Sequence, residues 1–286
     1  SAGAALALAD GVGGERALRR RLVAVAGASS GAKVAAIVAA PEDGLDRFAK
    51  AVRAIRFRDI LFDWDDVCIR EGGWCRMSKV RSLFRYLVAG RDVGALDLLP
   101  WGTTAWDVWG CRSAVLRDPG MSLETACMAS GAFPLLFPPI RANGRLYTDL
   151  AFFTDASGCA GLPREGVDRV LQVAHADLPI NPPWVVETPS KVGVAEVCSV
   201  VITGNTRVFP LPPGAQPRVA AALNGAREGV AAMLDVPLER GREPGHYVCR
   251  VVVPSQPEDA RILAADAALV GGLGLAVACA FSALRR

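Results

Sequence analysis

Leu22-Val23-Ala24-Val25-Ala26-Gly27-Ala28-Ser29-Ser30-Gly31 is the stretch that decides the fold class. Its apolar start, closed by a glycine, reads as a buried strand. Ala32 to Ala39 continues with helix-compatible residues as far as Pro41. The order is strand, tight turn, helix, and the turn carries the pattern G-x-S-x-G at Gly27, Ser29 and Gly31. Chemistry explains the pattern. A serine lifted clear of a sheet needs a sharp strand-to-helix turn that holds it in a strained conformation. Side chains two residues before and after it are expected to collide there, which calls for glycine at both Gly27 and Gly31. The N–H of Ser30, at the start of the helix, is then placed to meet an oxyanion.

Outward from this turn, the elements alternate. Residues 45–98 mix charged positions with Phe48, Val52, Ile55, Phe62, Leu83, Phe84 and Leu87, a pattern of amphipathic helices and connecting loops. Val167 to Val173 and Tyr247 to Val253 are Val-rich strand candidates, Pro179 to Pro189 reads as a loop, and Pro217 to Leu234 reads as a helix with Pro in its first turn. No internal repeat or low-complexity linker divides the chain, so one α/β domain over residues 1–286 is the economical reading. The run Ala267 to Leu284 carries no charge. Half of it is Ala or Gly, and Leu263, Ala267, Val270, Gly274, Val277, Phe281 and Leu284 fall at alternating spacings of four and three, as on one helix face, which favours a buried terminal helix over a membrane span.

Composition narrows the function classes. The chain has 286 residues, 51% of them hydrophobic, enough for a large core. With 32 basic and 29 acidic residues the net charge is only +3, which is no electrostatic footprint for nucleic acid. Arg19-Arg20-Arg21 and Arg285-Arg286 read as solvated ends of elements, with anionic headgroups as the alternative contact. None of the eight cysteines forms a C-x-x-C pair, and several lie in apolar runs, as Cys198 and Cys279 do. They read as reduced core residues, with neither a disulfide ladder nor a metal site, so calcium dependence is not expected. No basic and apolar leader opens the chain, and the expected location is cytoplasmic or peripheral to a membrane.

A second segment supplies the partner a nucleophilic serine requires. It runs from Glu124 through Ala126, Ala129, Ser130, Ala132, Pro134, Phe137 and Pro139 to Gly144, Tyr147 and Asp149. Together with the Ser29 turn, it resembles the patatin-like phospholipases, whose pattern A-x-x-A-S-x-A-x-P-x-x-F-x-P precedes G-x-x-Y-x-D-G. The resemblance covers roughly the first 175 residues. It implies a three-layer α/β/α fold with a mainly parallel central sheet and a nucleophile elbow formed by Gly27, Ser30 and Gly31. It also implies a lipid acyl hydrolase working through a Ser29–Asp149 dyad and an acyl-enzyme, without a cofactor, on acyl esters of glycerolipids. The sequence departs from the pattern at Leu150, where the family has glycine. The family's Gly-rich oxyanion loop is also not matched: Val12 to Ala17 imitates it, but too few residues follow it for a crossover between parallel strands. Ser1 to Ala9 is expected to be the helix that follows such a loop, which places the loop upstream of residue 1. Two rival readings remain. One is an α/β-hydrolase esterase with a Ser29/Asp149/His175 triad, His246 being the other histidine. The other is an inactive patatin-like protein acting as a lipid-binding or regulatory module. The aromatic residues between Phe57 and Trp74, with Trp101, Trp106 and Trp109, could line an acyl groove or form core.

Overall fold

The computed structural model of the chain describes residues 2–40, 43–54, 67–88, 90–134, 136–150, 153, 158–175, 187–204 and 216–253. Helix α1 (Ala2–Gly11) and α2 (Glu15–Arg21) lead into strand β1 (Val25–Ala28), α3 (Ser30–Ala39) and α4 (Gly44–Ala54). The strand expected at residues 22–26 therefore starts later and runs up to the serine, while α3 covers the expected helix. After α5 (Ser78–Leu87) come β2 (Trp101–Asp107), β3 (Arg112–Leu116), α6 (Leu123–Ser130), β4 (Ile140–Ala142) and β5 (Arg145–Thr148). A 3₁₀ turn at Gly158–Gly161 precedes β6 (Arg169–His175), the short α7 (Pro189–Val192), β7 (Glu196–Gly204), α8 (Gln216–Met233), β8 (Glu239–Arg240) and β9 (His246–Val253). The runs expected to be helical near residues 1–9 and 217–234, and strand-like near 247–253, are so. The span Ala267 to Leu284, most of the Pro179 to Pro189 loop and most of the 57–74 aromatic stretch lie outside the described residues.

The expectation of one mainly parallel sheet needs correcting, because the described strands form two mixed sheets. In the first, only β1 and β2 are parallel, and β3, β4 and β5 join by antiparallel pairing. The cause is local turn chemistry. Asn143 and Gly144 both have positive φ (47° and 72°), the backbone demanded by a two-residue hairpin between β4 and β5. Cys111, at φ 46°, helps reverse the chain between β2 and β3. The second sheet keeps the parallel character, with β6, β7 and β9 parallel and only the short β8 antiparallel.

Helix α1 belongs to both cores. Ala5, Leu6 and Ala9 join the core built on α3, α6 and the first sheet, whereas Ala4 and Ala7 join Val200, Ile202, Val230 and Val251 against the second. Its small residues permit this double burial. A Cβ added at Gly3 would stand 2.4 Å from the Leu223 carbonyl oxygen, so α1 and α8 meet backbone to side chain-free backbone. Arg19 does more than solvate the end of α2: its guanidinium donates to the carbonyls of Ala39 (3.0 Å) and Asp97 (3.1 Å), tying α2 to the end of α3.

Candidate active site

Sheet register brings Ser29 and Asp149 together. Strand β1 pairs along one edge of β2 and ends with Ala28 opposite Thr104. Strand β3 takes the other edge, covering Thr103 to Asp107. Strand β5 must therefore share the edge used by β1, and it comes from the opposite direction, with Thr148 opposite Trp106. The two strands approach end to end, and the residues that follow them, Ser29 and Asp149, meet at the level of Ala105. There the Ser29 Oγ donates a hydrogen bond of 2.5 Å to Asp149 Oδ2, across 120 residues of sequence.

Ser29 lies between β1 and α3 with φ 53° and ψ −121°, a conformation costly for a residue with a side chain. Packing enforces it. A Cβ on Gly27 would fall 2.3 Å from the Gly31 carbonyl oxygen and 2.6 Å from the Ala32 nitrogen, so β1 and the first turn of α3 touch through bare backbone. From the other side, the 3₁₀ turn packs on the same glycine: a Cβ on Gly158 would stand 2.6 Å from Gly27 Cα. The expectation for Gly31 differs from what is found, since a Cβ there would meet nothing within 4 Å outside its own helical turn. Gly27 alone makes the close approach. Ser30 is exposed and is the first residue of α3, so its N–H is one of those without an acceptor inside the helix.

The last turn of α6 and the two residues after it hold this arrangement. Ser130 is fully buried, and its Oγ accepts the Ser29 N–H at 2.8 Å while donating to the Thr104 carbonyl at 2.7 Å. The Thr103 hydroxyl lies 2.9 Å from Ser130 Oγ and 2.7 Å from the Gly27 carbonyl, its single proton shared between them. Ala132 receives the Asp149 N–H at 2.9 Å and also the Thr148 hydroxyl. Asp149 is 2% exposed and Ser29 only partly covered, so a buried acceptor stands behind a reachable hydroxyl. Leu150 replaces the glycine of the family pattern, yet it is buried and the carboxylate before it still reaches Ser29.

Between Ser130 and Ala132, Gly131 faces the amino group of Lys33. A Cβ there would stand 2.2 Å from Lys33 Nζ. Lys33 is on α3, one turn beyond Ser29. Burial is the largest influence on it and draws its pKa below the ordinary lysine value, while Cys127, in its thiolate form, and Asp149 act in the opposite sense. Burial pushes the Cys127 thiol far up, with Lys33 opposing, so Cys127 is a neutral thiol whose Sγ donates to the Ala32 carbonyl at 3.5 Å.

The described residues bring no histidine side chain to this site. His175 ends β6, and its side chain lies outside the described residues. His246 is buried on β9, with Nε2 3.5 Å from Ser199 Oγ. The direct Ser29–Asp149 contact leaves no space for an imidazole between the two. The sequence reading singled out Ser29, Asp149 and Gly27, and the fold brings the three together. That reading quoted Ser130 only as a motif residue and missed Lys33, although an ionisable residue one turn past a candidate nucleophile was the available signal. The cysteines are free among the described residues, but Cys111 is exposed and Cys198 only partly buried, unlike the expected core thiols. No group of His, Cys, Asp and Glu among the described residues could hold a metal ion. No helix among them is long and apolar enough to cross a membrane.

Comparison with sequence models of protein families gives a match to the one described as patatin-like phospholipase, over residues 1–153. That span holds Ser29, Lys33, Ser130 and Asp149. No curated protein matches the chain.

Proposed function

The chain belongs to the patatin-like phospholipase family, and from that premise we propose that it is a lipid acyl hydrolase with Ser29 as nucleophile and Asp149 as general base. The observation that carries this reading is the 2.5 Å hydrogen bond from Ser29 Oγ to Asp149 Oδ2, made by a serine held at positive φ. Family membership supports the class of chemistry, and the geometry supports these residues in these roles.

In the proposed cycle Ser29 Oγ attacks the ester carbonyl carbon as its proton passes to Asp149. The carbonyl oxygen becomes an oxyanion, which the free Ser30 N–H at the start of α3 is suited to receive. As the tetrahedral species collapses, the C–O bond to the alcohol breaks and Asp149 returns the proton to the leaving oxygen. Water then attacks the acyl-enzyme, giving its proton to Asp149, and the acid leaves as Ser29 regains its hydrogen. A carboxylate is a weak base at neutral pH, its ordinary pKa being about 3.9. The reaction therefore depends on the short, buried contact rather than on basicity.

Two aromatic features lie beyond the dyad, at the far end of β2 and in the turn that follows it. Trp106 stacks on Phe153 with ring centroids 4.8 Å apart, and Phe153 is 45% exposed. Trp109, at the β2–β3 turn, is 57% exposed, with the Arg141 guanidinium 5.5 Å from its ring centroid. Rings with a basic companion suit the boundary between acyl chains and headgroups, and we assign this rim to peripheral contact with a lipid surface.

The test is labelling by a fluorophosphonate probe, with the modified peptide located by mass spectrometry. Labelling at Ser29, abolished in Ser29→Ala and strongly reduced in Asp149→Asn, is the expected result. A folded wild-type protein that takes no label at Ser29 would overturn the proposal and favour the inactive lipid-binding alternative.

A further inference from the structure

We propose that Lys33 is a positioning residue for the Ser29–Asp149 pair: its ammonium, lodged in the notch at Gly131, holds Asp149 as the carboxylate that accepts the serine proton. The inference rests on the hydrolase reading above and adds a third charged group to it.

The geometry begins with consecutive residues at the end of α6. Ser130 holds the Ser29 N–H, Gly131 makes room for the Lys33 Nζ, and Ala132 holds the Asp149 N–H. One short segment thus gathers nucleophile, base and cation. A side chain at residue 131 would occupy the place of the ammonium, since a Cβ there would stand 2.2 Å from Nζ and 3.4 Å from the Cys127 carbonyl oxygen. The ammonium therefore lies at the carboxyl end of α6, where the helix dipole favours positive charge. Of the two groups that favour its charged form, Cys127 and then Asp149, the thiol is neutral, which leaves the Asp149 carboxylate as the anion. Part of the Lys33 residue still meets solvent, but burial around the ammonium is its largest influence. Its charge is consequently less screened than that of a surface lysine.

Most of the other charged groups on the packed elements have partners away from the notch. On α6, Glu124 pairs with Arg85 and Arg81 in the first turn, at the far end of the helix. On α2, Glu15 accepts from the Leu45 N–H and Arg19 binds the Ala39 carbonyl, both at the distal end of α3. On α1, Asp10 pairs with Arg227, and on β2, Asp107 pairs with Arg145. Helix α4 carries Asp46, Arg47 and Lys50, and β5 carries Arg145 and Tyr147. Cys127, the remaining titratable group beside Lys33, is a neutral thiol. Asp149, whose N–H is held by Ala132 beside the notch, is the carboxylate whose charge bears on Lys33 in the site.

A cation that favours the ionised form of a base moves the acid limb of activity to lower pH, and removing it moves that limb up. The experiment measures kcat/KM of the full chain on a soluble p-nitrophenyl ester from about pH 4 to pH 10, a range that brackets ordinary carboxylate and much of the lysine range. In Lys33→Met the midpoint of the acid limb should rise by about 1 unit or more, as for loss of a nearby opposite charge. Lys33→Arg should keep the acid limb near its wild-type position. It should also lose any alkaline limb due to Lys33, because arginine stays charged over this range. Gly131→Ala gives an independent reading: its methyl displaces a flexible ammonium while leaving the charge in the chain, and it should shift the acid limb in the same direction as Lys33→Met. Equal loss of activity at every pH in Lys33→Met, with no movement of the limb, overturns the proposal. So does an acid limb in folded Gly131→Ala that coincides with wild type. A wild-type chain that hydrolyses nothing would instead refute the hydrolase reading itself.

Discussion

Replacing either glycine of the serine turn by alanine adds one methyl group, yet the two substitutions should have very different results. In Gly27→Ala the new Cβ would lie 2.3 Å from the Gly31 oxygen, 2.4 Å from its carbonyl carbon and 2.6 Å from the Ala32 nitrogen. Comfortable contacts begin near 3.5 Å, so each overlap is of order 1 Å. All three atoms are backbone of the first turn of α3, and none can swing aside as a side chain would. The opposite flank is closed by Gly158, packed against Gly27 Cα. Overpacking in a core costs about 1–3 kcal/mol and occasionally more, and rigid backbone on both sides puts this case at about 3 kcal/mol or above. The cheapest relief moves the start of α3, and Ser29 with it, by about 1 Å, a displacement that can cost about 100-fold in rate. In Gly31→Ala the methyl meets open space, and exchanging glycine for alanine in a helix gains up to about 1 kcal/mol. Urea unfolding and second-order rates of fluorophosphonate labelling measure both effects. Gly27→Ala should lose both stability and labelling, while Gly31→Ala should stay within about 1 kcal/mol of wild type and keep most of its labelling rate. Equal effects of the two substitutions, or a wild-type-like Gly27→Ala, would refute the packing argument.

Three other expectations come from the same contacts. Ser130→Ala removes the acceptor of the Ser29 N–H and a donor to Thr104, and should destabilise the protein by about 1–3 kcal/mol in urea while slowing Ser29 labelling; unchanged values in both assays would show that the hydroxyl holds nothing. Gly3→Ala forces a Cβ to 2.4 Å from the Leu223 carbonyl oxygen and 2.8 Å from Ala226 Cβ, so the thermal midpoint should fall, and an unshifted midpoint would contradict the close packing of α1 on α8. Hydrogen bonding from the Gly110 N–H and then the Arg145 guanidinium, against an opposing effect of desolvation, hold the Asp107 carboxyl below its ordinary value. Such a group contributes stability above its unfolded pKa, near 3.9, and loses it as pH falls through the lower folded value. The stability of Asp107→Asn should therefore fall less steeply than wild type below about pH 4, and parallel curves would remove Asp107 from the acid transition.

Local sequence made the catalytic candidates legible and left the sheet architecture obscure, for a physical reason. The turn at Gly27 and Ser29 is specified by residues within a few positions of each other, and so is the helix that ends at Ser130. The pairing of β5 with β2 depends on which edge remains open after β1 and β3 have formed, and no short window of sequence encodes that. The Asn143-Gly144 pair was a readable hairpin signal, and it explains why the first sheet is largely antiparallel. Lys33 was obscured by its setting: in an Ala- and Val-rich helix its charge has meaning only once α6 ends against it. Ser130 was visible as a motif letter, but its hydrogen bond to the Ser29 backbone depends on the crossing of α3 and α6.

The end-to-end meeting of β1 and β5 makes the dyad a gauge of sheet registration. A slip of β5 along β2 by a single residue would carry Asp149 about 3.3 Å along the edge and turn its side chain to the other face of the sheet. No intermediate alignment offers a weakened version of the same contact, so the pair is either in register or absent. Reactivity at Ser29 is then a readout of correct threading across the whole 120-residue interval. A chain that has folded every helix but misaligned this one edge would be compact and chemically silent.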